Sequence, residues 1–357
     1  MNKLIAIATL GTAALLATAC ATPAPPPPPP PPAPVVQAPA PEPVIYTPPP
    51  APVVTVYAPP VRSVEERMKE VLVRDASYHG STMQNVSSAS YNPIQTREDL
   101  DGHLDNLAGV FTPRLGAGFL SYGGLIAAQN PSFADSVIQR ATDEGADTVV
   151  YKLYSDPNYA LTFNGSYDAA SDVMAAWRED VSAFDSAAAA IKAQSYELQK
   201  DPAWAKMRSG DRKDRIAKFK AAQTYGVSLP QSSQRAIAAA GSVTSSDFDG
   251  AARSAAFWQA FGKSSKPVSY SGGGQVSPNA TKSLTLGALE VLGSSGKNSS
   301  TWIANYTTDI NLNQCLNWAR LHTEQCLAAG HYKFEDAFCV AEHELKDISE
   351  CLTKSGY

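Results

Sequence analysis

Apolar positions recur at intervals of three and four residues along most of the chain, and no segment alternates with a sustained period of two, so the pattern predicts an all-α fold. The clearest helix spans about Tyr167 to Lys200. Its Val173, Trp177, Val181, Phe184, Ala188 and Ile191 form a seam of roughly three heptads. Upstream, Ser63-Val64-Glu65-Glu66 has the form of a capping box and opens a helix through Met68, Val71 and Leu72. Thr96 precedes Glu98 and Asp99 and a second helix carrying Leu100, Leu104 and Leu107. A third runs from about Pro113 through Leu120 and Leu125, and Asn130-Pro131 starts a fourth with proline at its first position. Beyond the long seam lie a basic helix from about Asp211 to Gln223, one from Ser246 to Phe261 bearing Phe248, Ala255, Phe257 and Trp258, and one through Leu284, Leu286, Leu289 and Leu292. Gly/Ser-rich connectors, Gly262 to Ser277 and Gly293 to Thr301, punctuate this last part. Gly116-Ala117-Gly118 and Gly123-Gly124 follow no strand, which points to close helix packing and away from phosphate binding.

The first sixty residues break the pattern. Lys3 precedes an uncharged apolar stretch from Leu4 to Thr18, short for a membrane span of ~20 residues but suited to a signal-peptide core. The stretch ends in Leu15-Leu16-Ala17-Thr18-Ala19-Cys20. It resembles bacterial outer-membrane lipoprotein signals, in which the processed cysteine carries the lipid. Such signals usually place leucine where Ala17 stands, and Ala17-Thr18-Ala19 also fits ordinary cleavage at small residues. The resemblance implies lipidation of Cys20, and Ala21, which is not Asp, implies the outer membrane. From Thr22 to Pro60 roughly every second residue is proline, with an unbroken run from Pro25 to Pro32. A disordered polyproline II tether follows, at ~3.1 Å per residue reaching roughly 100 Å. Val35-Val36, Val44-Ile45-Tyr46 and Val53 to Tyr57 interrupt it with apolar patches.

Four of the five cysteines, Cys315, Cys326, Cys339 and Cys351, lie near the C-terminus, leaving Cys20 as the odd one. Cys315 and Cys326 sit about 16 Å apart on one helix, and Cys339 and Cys351 about 18 Å apart on the next. Bridged Cα atoms approach within ~7 Å, so neither pair bridges within its helix. The short connection around Gly330-His331-Tyr332 makes the helices antiparallel and selects the nested pairs Cys326–Cys339 and Cys315–Cys351. About forty residues here resemble the twin-cysteine hairpins of the coiled-coil-helix family; the geometry carries over, and no function does. An alternative use of the hairpin is a two-Cys, two-His zinc site from His322, Cys326, Cys339 and His343. Disulfides are the expected outcome in an exported chain.

Catalytic motifs are missing: there is no G-x-S-x-G, H-E-x-x-H, P-loop or C-x-x-C-H, and no cofactor is implied. His343-Glu344 starts like a zincin motif, but Lys346 and Asp347 stand where its second histidine would follow. Ser294 to Lys297 satisfies S-x-x-K without its partner motifs. Glu98, Asp101 and Asp105 share a helix face near His103 and are the candidates for a glycan hydrolase, although acidic residues suit a helix N-terminus in any case. Lys206, Arg208, Arg212, Lys213, Arg215, Lys218 and Lys220, interleaved with Trp204, Ile216 and Phe219, offer a basic amphipathic face to anionic lipid or wall polymer. A net charge of −5 implies no nucleic-acid partner. The sequence therefore divides into a signal peptide (1–19), a lipidated proline-rich linker (20–62), a multi-helix, bundle-like domain (63–309) and a disulfide-stapled hairpin (310–357). The expected role is an outer-membrane-anchored scaffold or binding module with peptidoglycan or envelope proteins as partners. Hydrolase and metal-binding roles are the alternatives.

Overall fold

A computed structural model describes residues 27–31, 56–91, 93–110, 113–225, 229–240, 250–268, 275–294 and 300–356. Cys20, the signal segment and most of the proline-rich stretch lie outside the described residues. Among those described, Pro27 to Pro31 are exposed and belong to neither helix nor strand.

The rest of the described chain is helical, with no strand. In order, the helices are α1 (Val64–Arg67), α2 (Val71–Tyr91), α3 (Arg97–Ala108), α4 (Leu115–Ala128), α5 (Pro131–Glu144), α6 (Ala146–Ser155), α7 (Ser166–Lys200) and α8 (Arg212–Tyr225). They continue with α9 (Gln231–Ala240), α10 (Gly250–Ala260), α11 (Pro278–Val291), α12 (Ser300–Thr307), α13 (Ile310–Ala329), α14 (Lys333–Cys339) and α15 (Lys346–Gly356). The expected starts hold. Ser63 and Glu66 form a reciprocal capping box, as do Thr96 and Asp99, and the Asn130 side chain caps α5 ahead of Pro131. The helix expected from Ser246 is described only from Gly250, and Phe248 lies outside the described residues.

The centre is α4, which carries no charged side chain and is almost wholly buried between α2, α7 and α11. Its glycines are there for contact. A Cβ on Gly124 would stand 2.7 Å from the Leu286 Cβ, and one on Gly287 of α11 would stand 2.9 Å from the Gly124 carbonyl. The two backbones therefore touch, and the Ser283 hydroxyl donates to the Leu120 carbonyl at 3.0 Å across the contact. Trp177 of α7 stacks on Phe119 with ring centroids 4.3 Å apart and covers the other side of α4.

Buried charges fix the connections. Glu290 of α11 receives Arg67 at 2.7 Å and Arg62 at 3.0 Å, and Arg62 also reaches Glu70 at 2.7 Å. The chain bends at Met68 to Glu70 directly after α1, and Arg62, from before that helix, reaches both Glu70 at the bend and the buried Glu290. Beneath α4, the fully buried Asp180 joins His79 Nε2 at 2.8 Å and the Lys263 ammonium. Burial alone pushes the Asp180 carboxyl up, but Lys263 and His79 together hold it below the ordinary carboxylate range.

Residues on the linker side of position 62 make contacts with the helical part. The Tyr57 amide donates to Thr142 Oγ1 at 2.8 Å and its hydroxyl to the Leu292 carbonyl at 2.9 Å, so Tyr57 is part of the fold. Residues 53–357 form one compact unit, hairpin included.

The hairpin closes as the nested geometry requires. Cys315 bonds Cys351 with Cα atoms 5.6 Å apart, and Cys326 bonds Cys339 with Cα atoms 5.5 Å apart. These bonds take both sulfurs of Cys326 and Cys339 out of the two-Cys, two-His zinc site, which the structure does not form. The second arm contains a π-helical turn, Val340–Leu345, between α14 and α15. Its reason is phase. Eleven residues separate the cysteines of α13, about 20° beyond three α-helical turns, whereas the twelve between Cys339 and Cys351 would overshoot by about 120°. One residue absorbed in a π turn brings Cys351 back to the facing side. Glu344 lies in this turn, fully buried without a hydrogen-bond partner among the described residues, and desolvation pushes its carboxyl well up.

Lys263→Met should cost about 3–5 kcal/mol at neutral pH by leaving the buried Asp180 charge with His79 alone. Because the Asp180 carboxyl is held low, the wild-type contribution is present above the unfolded pKa of about 3.9 and is lost as pH falls through the folded value. In the variant Asp180 takes up a proton more readily, so the gap between variant and wild type in urea unfolding should narrow from pH 7 to pH 4.

Candidate functional site

The sequence's acidic face and basic helix meet in one cleft of about 310 Å³. One wall is α3, the second is the segment from Gly210 to Phe219, and the third is the turn of the hairpin with α14. Leu104, Ala108, Phe219, Leu327 and Val340 make an apolar floor, above which charges converge.

Two ion pairs organise the cleft. The Lys333 ammonium meets Asp101, whose other oxygen faces Arg97 Nε at 3.5 Å. The Arg215 guanidinium donates through Nη1 to Asp336 and through Nη2 to the Gly330 carbonyl at 2.9 Å. Ser209 Oγ donates to the second Asp336 oxygen at 2.7 Å. Burial pushes the Asp336 carboxyl up, against Ser209, Arg215 and Lys333, which pull it down; burial prevails.

Local structure explains the positions. Met207 and Ser209 lie alongside His331 and Lys333: the Lys333 amide donates to the Met207 carbonyl at 3.0 Å and the Ser209 amide to the His331 carbonyl at 3.1 Å. Glu335 accepts from the Tyr332 amide at 2.9 Å and starts α14, which aims Lys333 and Asp336 into the cleft. Arg208 stacks over the Tyr332 ring at 4.5 Å and pins the outside of the same pairing.

The candidates read from the sequence are therefore divided. Asp101 and Asp105 line the cleft; Glu98 is exposed and does not, and His103 is buried elsewhere on α3. The basic residues also split. Arg215 enters the cleft, Arg208 lies on Tyr332, Lys220 reaches Glu324 at 3.3 Å, and Arg212 and Lys213 are exposed. Lys206 is exposed as well, and the Lys218 side chain lies outside what is described. Lys333 and Asp336 were not among the candidates, and the only local signal for them is the Glu335 capping position. No helix among the described residues is long and apolar enough to cross a membrane.

Comparison with family models, with curated proteins and with solved structures gave no match to this chain.

Chemically, the cleft can bind a ligand that carries both polar groups and an apolar face. Asp101 and Asp336 are each held by a cation, an arrangement suited to exchanging partners with a ligand's charges. Arg215→Met should destabilise the protein more at pH 8 than at pH 5. A carboxyl raised in the folded state adds stability below its unfolded pKa and loses it as pH rises through the folded value, and without Arg215 this loss deepens. Asp336→Asn on the Arg215→Met background should flatten the dependence, which melting curves at the two pH values would show.

Proposed function

We propose that this protein is an outer-membrane-anchored lipoprotein whose helical domain acts as a non-enzymatic envelope scaffold or binding module on a polyproline tether. The observation that carries the reading is the doubly bridged hairpin. Stable disulfides belong to oxidising compartments, and pairing the four late cysteines leaves Cys20, beside the apolar leader, with no thiol partner. A lipidated Cys20 resolves that imbalance. The cleft supports binding over catalysis, because the Lys333 and Arg215 pairs occupy the carboxylates that a hydrolase would need free. The partners are the membrane, through the lipid, and peptidoglycan or envelope proteins in reach of the tether.

Intact mass of the protein extracted from membranes tests the reading. A diacyl or triacyl increment at Cys20 and a gain of four protons on reduction are the expected results, one pair for each bridge. Unmodified Cys20, with the chain released by washing, overturns the anchor.

A glycan hydrolase is the second reading, favoured by one observation: Asp336, with its carboxyl pushed up, shares the cleft with Asp101 and Asp105. Asp101→Asn should leave wall-glycan turnover unchanged if the domain is a binding module; loss of a measurable glycan-cutting activity would reverse the order of the two readings.

A further inference from the structure

Between the two bridges of the hairpin, His322 of α13 faces His343 of the π turn and Asp347 of α15. His322 Nδ1 lies 3.0 Å from Asp347 Oδ2, and His343 Nδ1 lies 3.7 Å from the same oxygen. One ligand atom from each of the three residues lies within 4.8 Å of the others. The geometry points to a binding site for a divalent first-row transition-metal ion of the zinc type, with His322, His343 and Asp347 as its protein ligands. This goes beyond the anchored-scaffold reading and does not rest on it.

Ligand type comes first. Two imidazoles and one carboxylate are a borderline donor set, suited to zinc, copper, nickel or cobalt and poor for calcium or magnesium, which take oxygen. Distances come next. Bonds of about 2.0–2.2 Å in a tetrahedron place neighbouring donors roughly 3.4 Å apart, and the two nitrogen-to-oxygen distances of 3.0 and 3.7 Å bracket that spacing. The ring centroids of the histidines are 6.0 Å apart, so a small side-chain rotation brings the third edge into range.

The local charges leave these three groups to one another. Glu342 pairs with Lys192 at 2.6 Å and Lys346 with Asp185 at 2.9 Å, so the nearest charges of the same arm are engaged with α7. Asp347 meets only the two histidines, with no lysine or arginine in ion-pair range among the described residues. The backbone is held on both sides of the site. Four residues separate His322 from Cys326 and Asp347 from Cys351, so each bridge anchors one end. Residues 343 and 347 are four apart and share one face, and the π turn sets which way that face points.

The side chains of His322, His343 and Asp347 are 47%, 32% and 25% exposed, which leaves a coordination position for water or an outside donor. Glu344 stands where a zincin would carry its base, but it is fully buried, away from that solvent-facing position. The site is thus one for holding a metal or joining a partner's ligand to it, and it lacks the base that would make the bound water a nucleophile.

The test is calorimetric titration of zinc into the untagged full chain with both bridges intact. One equivalent should bind, and cobalt in its place should give the visible absorption of a tetrahedral centre. His322→Ala, His343→Ala and Asp347→Ala should each weaken binding by more than about tenfold, with bridges and far-UV dichroism unchanged. His331→Ala, which removes the exposed histidine at the hairpin turn, should leave binding as it was. Absence of zinc uptake by the wild-type chain, or equal weakening by His331→Ala, would overturn the proposal.

Discussion

The contact between α4 and α11 is the constraint on which the rest of the structure depends. Two backbones meet where Gly124 faces Gly287, with no space for a Cβ on either side. An α4 so deeply enclosed cannot carry charge, and its sequence has none. Because α4 is sealed, each helix packed on it must turn an apolar or small-residue face inward, and its own polar groups must be satisfied at the edges. The three-four seam of α7 is one result, with Trp177 over Phe119.

The edges then carry the charge. Glu290 and Asp180 each draw their partners from distant stretches of chain: Arg62 and Arg67 to the first, His79 and Lys263 to the second. A buried ion pair is weak evidence for stability but strong evidence for specificity, since a misplaced partner strands a charge in low dielectric. These pairs fix how the bend before α2 and the loop after α10 lie against the core, where apolar packing alone would tolerate alternatives.

The helices were legible because their signals are local. Capping boxes at Ser63 and Thr96, the Asn130-Pro131 start and the heptad seam each declare an element within a few residues. Short helices such as α9 and α12 were not, because ten and eight residues are too few for an apolar period to stand out. The nested bridges followed from helix rise and loop length, but the π turn did not: twelve residues and eleven look alike until the angular phase is counted. The cleft was half legible. Asp101 and Asp105 stood out on one face, yet Asp336 and Lys333 reach them from more than two hundred residues away, and nothing local announces that meeting. The contacts of Tyr57 were hard to read for the opposite reason. Proline spacing marks the absence of helix, whereas Tyr57 shows that a chain without helix can still be part of the fold.

Helix α11 also grips the helical unit near its first and last described residues. At its start, Ser277 Oγ donates to the Gly356 carbonyl and Asn279 to the Ser355 carbonyl. At its finish, Leu292 accepts from the Tyr57 hydroxyl, and Glu290 holds Arg62. Its 14 residues span about 21 Å. A pull arriving at Tyr57 would therefore load a helix packed directly on the central α4 before it could peel an outer one. Held at both ends in this way, the helical unit would have to give up its contacts to α11 before its outer helices could pay out one by one.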